Sequence, residues 1–305
     1  MRLKEKFKDF LFYLASKGYK PHTLGEYKRF LFGALSHCPI SEKELKDLKL
    51  VDIAEIIKAG QTHGRYGAQR AVSVFRCYLK FLKESGENLP FDWRDITLPK
   101  VSQKVQPVLT KEELDFVLNS IPIHHRNIGA RKIAWTMRAL FEVLFATGMR
   151  ISEALELKRE QFKQIKREKE LTIFGKDREE RRVFFSDRAI YWLEQYLKQR
   201  DDNSEWMFVN CWGQKLKLST AKSYLLRWRK KLGYLGNKIR FHTFRRTLAT
   251  LLMKNNGDLK TIQITLGHKS PRTTLKYYAL INIDEAKENY QRLMAKINRP
   301  LDKDF

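Results

Sequence analysis

Cysteine is scarce in this chain: three residues in 305, Cys38, Cys77 and Cys211, odd in number, far apart and without a CxxC spacing. That excludes an even disulfide framework and a cysteine-held zinc site, and it suits a reducing compartment. Long apolar runs are also missing. Stretches such as FLFYLA (residues 10–15) and VLFA (143–146) are flanked or interrupted by charge. They fall far short of the ~20 residues that cross a bilayer, so neither a membrane span nor a secretory leader is expected. A cytoplasmic or nucleoid-associated protein is expected. The signatures of several enzyme classes are absent too: there is no GxxxxGKS/T, no GxGxxG and no HExxH, and the seven histidines include no pair at metal-ligand spacing with a third partner. ATPase, dehydrogenase and zinc-hydrolase readings lose support, and neither a cofactor nor a metal is expected.

Negative charge is the last shortage. The chain has 35 Asp and Glu against 60 Lys and Arg, a formal net charge of +25, which is the footprint of a polyanion binder, with nucleic acid the first suspect. The excess is spread out: 19 basic against 12 acidic residues in 1–100, and 41 against 23 in 101–305. Two basic domains gripping a duplex fit that distribution better than a neutral enzyme with one basic tail. A length of 305 residues favours two domains, and 43% hydrophobic with 12% aromatic residues is a globular composition.

The first ninety residues read as a small helical bundle. Leu3, Phe7, Phe10, Leu11 and Leu14 fall on one stripe, and Ala68, Val72, Phe75, Leu79 and Leu82 give residues 67–84 helical spacing. Capping patterns are expected at Thr23 with Glu26 and at Ser41 with Glu44. Residues 87–110, ENLPFDWRDITLPKVSQKVQPVLT, hold three prolines and little periodicity, which reads as a linker with the domain boundary near residue 100. Thr110 and Glu113 then form a capping box that opens a second domain, 101–305, with a helix through Leu118. Residues 131–146 are helical and apolar, with Gly148 as a left-handed stop, and helix follows from about Ser152. ELTIFGKDREERRVFF (170–185) alternates on both sides of a charged turn, so a β-hairpin with its tip at Lys176 to Glu180 is expected. Helices follow over 187–199, 219–232, 243–255 and 258–266.

Basic residues recur at the ends and turns of these elements. Arg150 follows the Gly148 stop and can reach an anion over the next helix start; a stray surface arginine would look the same. His242 and Arg245 stand three apart on one helix face, beside a buried stripe of Phe244, Leu248, Leu251 and Leu252. At roughly 100° per residue, Arg245 is expected half-buried at the stripe's edge and Arg246 nearly opposite it, in solvent or on a DNA backbone. His242 is equally readable as a cap or core histidine. Gly267 closes the short helix ending at Leu266, which leaves His268 in a tight connector before Ser270 and Pro271 start another helix. Tyr277 and Tyr278 lie about two turns into that helix, where aromatic residues also serve as core. Breaking a phosphodiester needs cations on its nonbridging oxygens, a nucleophile and a proton donor for the departing oxygen. This chain offers all three, and a pair of arginines can supply the positive charge.

Four motifs in order, TGMRISEALEL (147–157), FGKDREERRV (174–183), HTFRRTLAT (242–250) and LGHKSPRTTLKYY (266–278), resemble those of the tyrosine recombinases, the phage-integrase and Xer-like family. VLTKEELDFVL (108–118) and WMFVN (206–210) look like further parts of that family's catalytic domain, and the N-terminal helical part resembles its core-binding domain more weakly. The resemblance implies a mainly α fold with a small β-hairpin: a helical N-terminal DNA core-binding domain and a mixed α/β catalytic domain. It implies that Arg150 and Arg245 clamp the scissile phosphate, that His242 and His268 bond it or assist proton transfer, and that Lys176 protonates the leaving 5′ oxygen. Tyr277 would attack, giving a 3′-phosphotyrosyl link. The family spacing, nine residues after the LGH histidine, selects Tyr277 over Tyr278. The chain departs from the family at Arg246, where a histidine is frequent, and at YYAL (277–280), where YTH or YAH is frequent.

The resemblance further implies strand exchange without a nucleotide cofactor, by four copies acting on two DNA duplexes, in integration and excision or in dimer resolution. The last segment places Ile283, Ala286, Tyr290, Met294 and Ile297 on one stripe, expected to pack on a protein surface in cis or in trans. The alternatives are a type IB topoisomerase, a DNA-binding protein without catalysis and a metal-dependent nuclease.

Overall fold

The aromatic stripe at the start of the chain folds onto the helix of residues 67–84. The computed structural model describes residues 1–62, 64, 66–100, 106–175, 180–255 and 257–267, and it divides into two units, Met1–Val105 and Gln106–Phe305. The first unit contains α1 (Phe7–Ser16), α2 (Pro21–Lys28), α3 (Ile53–Gln61) and α4 (Gly67–Glu84), with short 3-10 turns between α2 and α3. Leu3, Phe7, Phe10 and Leu14 are buried against Val72, Phe75, Tyr78, Leu79 and Leu82 of α4. The Tyr78 hydroxyl donates to the Leu3 carbonyl at 2.5 Å, the partner a buried phenol needs. Helices α3 and α4 approach closely enough that a Cβ on Gly60 would lie 2.6 Å from the Ala71 Cβ, so only glycine fits there.

Neither capping pattern expected in this unit forms. Pro21 occupies the first helical position of α2 and its fixed φ starts the helix early, so Thr23 lies inside the first turn and Lys20 is the N-cap. Ser41 is buried and its hydroxyl donates to the Ser36 carbonyl at 3.1 Å, while Glu44 precedes a single 3-10 turn, Leu45–Asp47, without a side-chain cap bond.

The second unit is organised on α6 (Ile128–Thr147), whose predecessor α5 (Lys111–Asn119) opens with the expected box. Thr110 Oγ1 accepts from the Glu113 amide at 3.1 Å, and Glu113 Oε2 accepts from the Thr110 amide at 3.0 Å. After α6 come the single turn α7 (Ile151–Ala154), α8 (Gln161–Glu168), β1 (Glu170–Phe174), β2 (Glu180–Phe184), α9 (Asp187–Lys198), α10 (Leu218–Lys231), α11 (Gly233–Lys238), α12 (Phe241–Lys254) and α13 (Leu259–Leu266). Helix α3 lies within the expected N-terminal bundle, whereas α8 and α11 are helices that the apolar spacing does not announce. Phe141 of α6 stacks between Trp228 of α10 and Phe244 of α12, with ring centroids 5.1 and 5.0 Å away. These rings join the helices around one core.

The strands pair antiparallel with Leu171 opposite Val183 and Ile173 opposite Arg181. The unit is thus mainly helical with one small two-stranded sheet among the described residues. No described helix is long and apolar enough to cross a membrane.

Candidate active site

Four chain segments meet where α6 ends. Gly148 closes that helix at φ +62, the left-handed cap that glycine adopts without penalty. Its carbonyl accepts Arg245 Nη1 at 2.6 Å, and Arg245 Nη2 donates to the Leu266 carbonyl at the end of α13. Gly267 caps α13 in the same left-handed way, at φ +62. Arg245 therefore takes up the orphan carbonyls that two helix C-termini leave exposed. It is 6% exposed, more deeply set than half-buried. The stripe of α12 explains the difference. Leu251 and Leu252 are only partly covered, while Ala249 and Met253 are buried with Phe244 and Leu248. Packing of α12 on both α6 and α13 turns the covered face toward Arg245.

Arg150 follows Gly148 by two residues and heads α7. Glu153, one turn on, accepts from the Arg150 amide at 2.8 Å and from Arg150 Nη1 at 2.7 Å, and it also accepts from Arg181 Nη2 at 2.6 Å. Burial favours the neutral acid of Glu153, but the amide of Arg150, the charge of Arg181 and the two guanidinium bonds outweigh it and hold the carboxyl below the usual range. The Arg150 side chain is 36% exposed, so its charge faces solvent from a fixed base.

His242 lies at the start of α12. Crowding by the surrounding protein, then the charges of Arg246, Arg245 and Arg150, push its pKa below 6.5. All three guanidiniums thus act on one imidazole. Arg246 is not the solvated residue expected: it is half-buried, and its Nη1 donates to Gln106 Oε1 at 3.1 Å and to the Pro107 carbonyl at 3.4 Å. It braces the segment leading into α5.

Arg150, His242 and Arg245 are therefore brought together. Lys176, His268 and Tyr277, as well as Tyr278 and the C-terminal stripe from Ile283 to Ile297, lie outside the described residues. Two further residues that the sequence pattern does not single out, Glu153 and Arg181, join Arg150 at this place. For Glu153 a signal existed, an acid three residues after an arginine on a helix start; for Arg181, one of several adjacent arginines, none did.

Guanidinium charges that act together on one imidazole make a cationic cluster, chemistry suited to an anion such as a phosphate. Consistent with that chemistry, the family model described as the phage integrase family matches residues 108–283, more than half of the chain. The chain belongs to the phage integrase family. It is 28% identical over 301 residues to tyrosine recombinase XerC of Leptospira interrogans, covering 95% of this chain and 93% of that one. It is 30% identical over 219 residues to tyrosine recombinase XerD of Lacticaseibacillus casei, covering 70% and 72%. The fold matches the Tn1549 transposon integrase, solved in complex with a circular intermediate DNA, at a TM-score of 0.76 over 96% of this chain and 99% of that one, at 16% identity. A lambda integrase dimer bound to a core site matches at 0.71 over 91% and 95%, at 19% identity. This phage-integrase chain is a tyrosine recombinase, an enzyme of site-specific recombination.

Proposed function

We propose that the protein cleaves and rejoins DNA strands through a 3′-phosphotyrosyl intermediate, with Arg150 and Arg245 holding the scissile phosphate. The observation that carries this reading is the convergence of Arg150, Arg245 and His242, two of them anchored by bonds that leave the guanidiniums rigid. Rigid donors aimed at nonbridging oxygens stabilise the charge that builds up as the phosphorus becomes five-coordinate, and they need no rearrangement at that moment. His242, whose surroundings favour the neutral imidazole, donates one N–H hydrogen bond to the phosphate, and His268 is its counterpart from the α13 connector. The Tyr277 oxygen attacks the phosphorus as its proton passes to an imidazole of the site or to water, and Lys176 protonates the departing 5′ oxygen. The phosphotyrosine retains the energy of the broken bond, so a 5′ hydroxyl of another strand reverses the attack. The net charge of +25 supports a duplex substrate. The solved complexes of the Tn1549 and lambda integrases with DNA support the same partner. Four copies on two duplexes, acting in the cytoplasm, complete the reading.

The test is a labelled duplex nicked just past the cleavage position, so that the short fragment bearing the freed 5′ hydroxyl diffuses away and the covalent adduct accumulates. On a denaturing gel the unaltered protein gives a slow band that resists EDTA, and Tyr277→Phe gives none. A missing band with the unaltered protein, or an undiminished one with Tyr277→Phe, defeats the proposal.

A further inference from the structure

The inner face of the hairpin is apolar except at one place. Leu171 and Val183 face each other, 3% and 0% exposed, and Ile173 is 6% exposed, but the residue opposite Ile173 is Arg181. This is the last inward pair before residues 175–179, which contain Lys176. The Arg181 side chain is 11% exposed, and burying a guanidinium costs several kcal/mol unless it is paired. It is paired on two sides: Nη2 donates to Glu153 Oε2 at 2.6 Å, and Nη1 donates to the Thr265 carbonyl at 3.1 Å. Its stem lies against Gly267, where an added Cβ would come within 2.4 Å of the Arg181 Cδ. A residue with only a packing duty here would be aliphatic, like its neighbours on that face. This one ties the strand beside Lys176 to the carboxylate that fixes Arg150, and to the last turn of α13, which leads into His268.

We propose that Arg181 is a positioning residue for strand cleavage. It fixes the root of the hairpin turn relative to Arg150, so that Lys176 meets the leaving 5′ oxygen. The inference rests on the proton-donor reading of Lys176, and the experiment separates the two. A duplex is made with sulfur in place of the scissile 5′ oxygen. The Tyr277 oxygen attacks phosphorus as its proton passes to an imidazole of the site or to water, the phosphorus–sulfur bond breaks, and its electron pair leaves as a thiolate. A thiol with pKa near ~8.5 needs no proton donor to depart.

Single-turnover cleavage of both duplexes is compared for the unaltered protein, Lys176→Ala, Arg181→Met and Arg181→Lys. On the oxygen duplex Lys176→Ala loses about 10²- to 10⁴-fold, and Arg181→Met about 10²-fold, the effect of a displacement near 1 Å. On the sulfur duplex both recover to near the unaltered rate. Arg181→Lys, which keeps the charge but lacks the planar fork that spans both partners, falls between. Should Arg181→Met fail to fold, Arg181→Lys carries the comparison alone. If sulfur rescues Lys176→Ala but not the Arg181 variants, or if Arg181→Met cleaves the oxygen duplex at full rate, the inference is overturned while the Lys176 reading stands. If sulfur does not rescue Lys176→Ala, the proton-donor reading falls and this inference with it.

Discussion

Replacing Gly148 with alanine tests whether the site depends on the close meeting of α6, α12 and α13. The new methyl group would sit 2.8 Å from Leu266 Cδ2 and 3.2 Å from Leu248 Cδ2, on a backbone held at φ +62. Two costs follow. A side chain in the left-handed region costs about 1–2 kcal/mol, and forcing two leucines out of a packed contact costs about 1–3 kcal/mol. The sum is about 2–5 kcal/mol. Gly233→Ala is the matched control, since Gly233 also has a positive φ, +54, but a Cβ there meets nothing within 4 Å. That variant bears only the backbone cost, about 1–2 kcal/mol.

Urea unfolding followed by tryptophan fluorescence measures the difference, because five of the six tryptophans lie in residues 106–305. Gly148→Ala should be the less stable of the two by about 1–3 kcal/mol. It should also form covalent adduct more slowly than Gly233→Ala, because the Gly148 carbonyl holds Arg245 and Arg150 follows two residues later. Equal destabilisation of the two variants, with equal rates of adduct formation, would refute the claim that tight contact at this helix end sets the geometry of the arginines.

Two pH-dependent predictions accompany it. His242 is disfavoured as a cation by its surroundings, chiefly by crowding and then by Arg246. Its contribution to stability is therefore complete above pH 6.5 and is lost as pH falls through the lowered folded value. Imidazole resonances should titrate below 6.5, and Arg246→Ala should move the midpoint upward; a midpoint that ignores this substitution argues against the electrostatic account. Glu153 is also depressed, so it stabilises the fold above the ordinary glutamate pKa and ceases to do so as pH drops through the lowered value. Glu153→Gln should cost about 1–3 kcal/mol at neutral pH, through a buried bond to Arg181 made weaker or lost. It should also lose less stability than the unaltered protein on acidification, and an identical acid limb in the two proteins would show that Glu153 is not the group responsible.

What could be read in the sequence follows from where the information resides. Thr110 with Glu113, Gly148 and Gly267 each make their structural statement within four residues of themselves, through a hydroxyl that reaches an amide or a φ that only glycine enters cheaply. Those features were legible, as were the hairpin and the helix from Gly67 to Glu84. Local rules failed where a competing local rule acted first. Proline at position 21 started α2 before Thr23 could cap it, and Ser41 spent its hydroxyl on the Ser36 carbonyl inside a tight 3-10 turn.

The site is a different case, because its geometry lies between elements. Periodicity put Arg245 near a buried face but could not say that α12 packs on two neighbours, and this second contact is what draws the guanidinium inside. Nor could it say which carboxylate would join Arg150 to Arg181, two residues 31 positions apart that share Glu153 only once the hairpin lies beside α7. The cationic residues proposed to face a phosphate can therefore be picked out from their motifs, because the chemistry dictates their type. The residues that hold them in place are dictated by packing, and any pair of complementary groups at the right distance would serve. Gly148 belongs to both sets, since its motif position and its contact with Leu266 impose the same requirement, and substitution there should disturb the fold and the chemistry together.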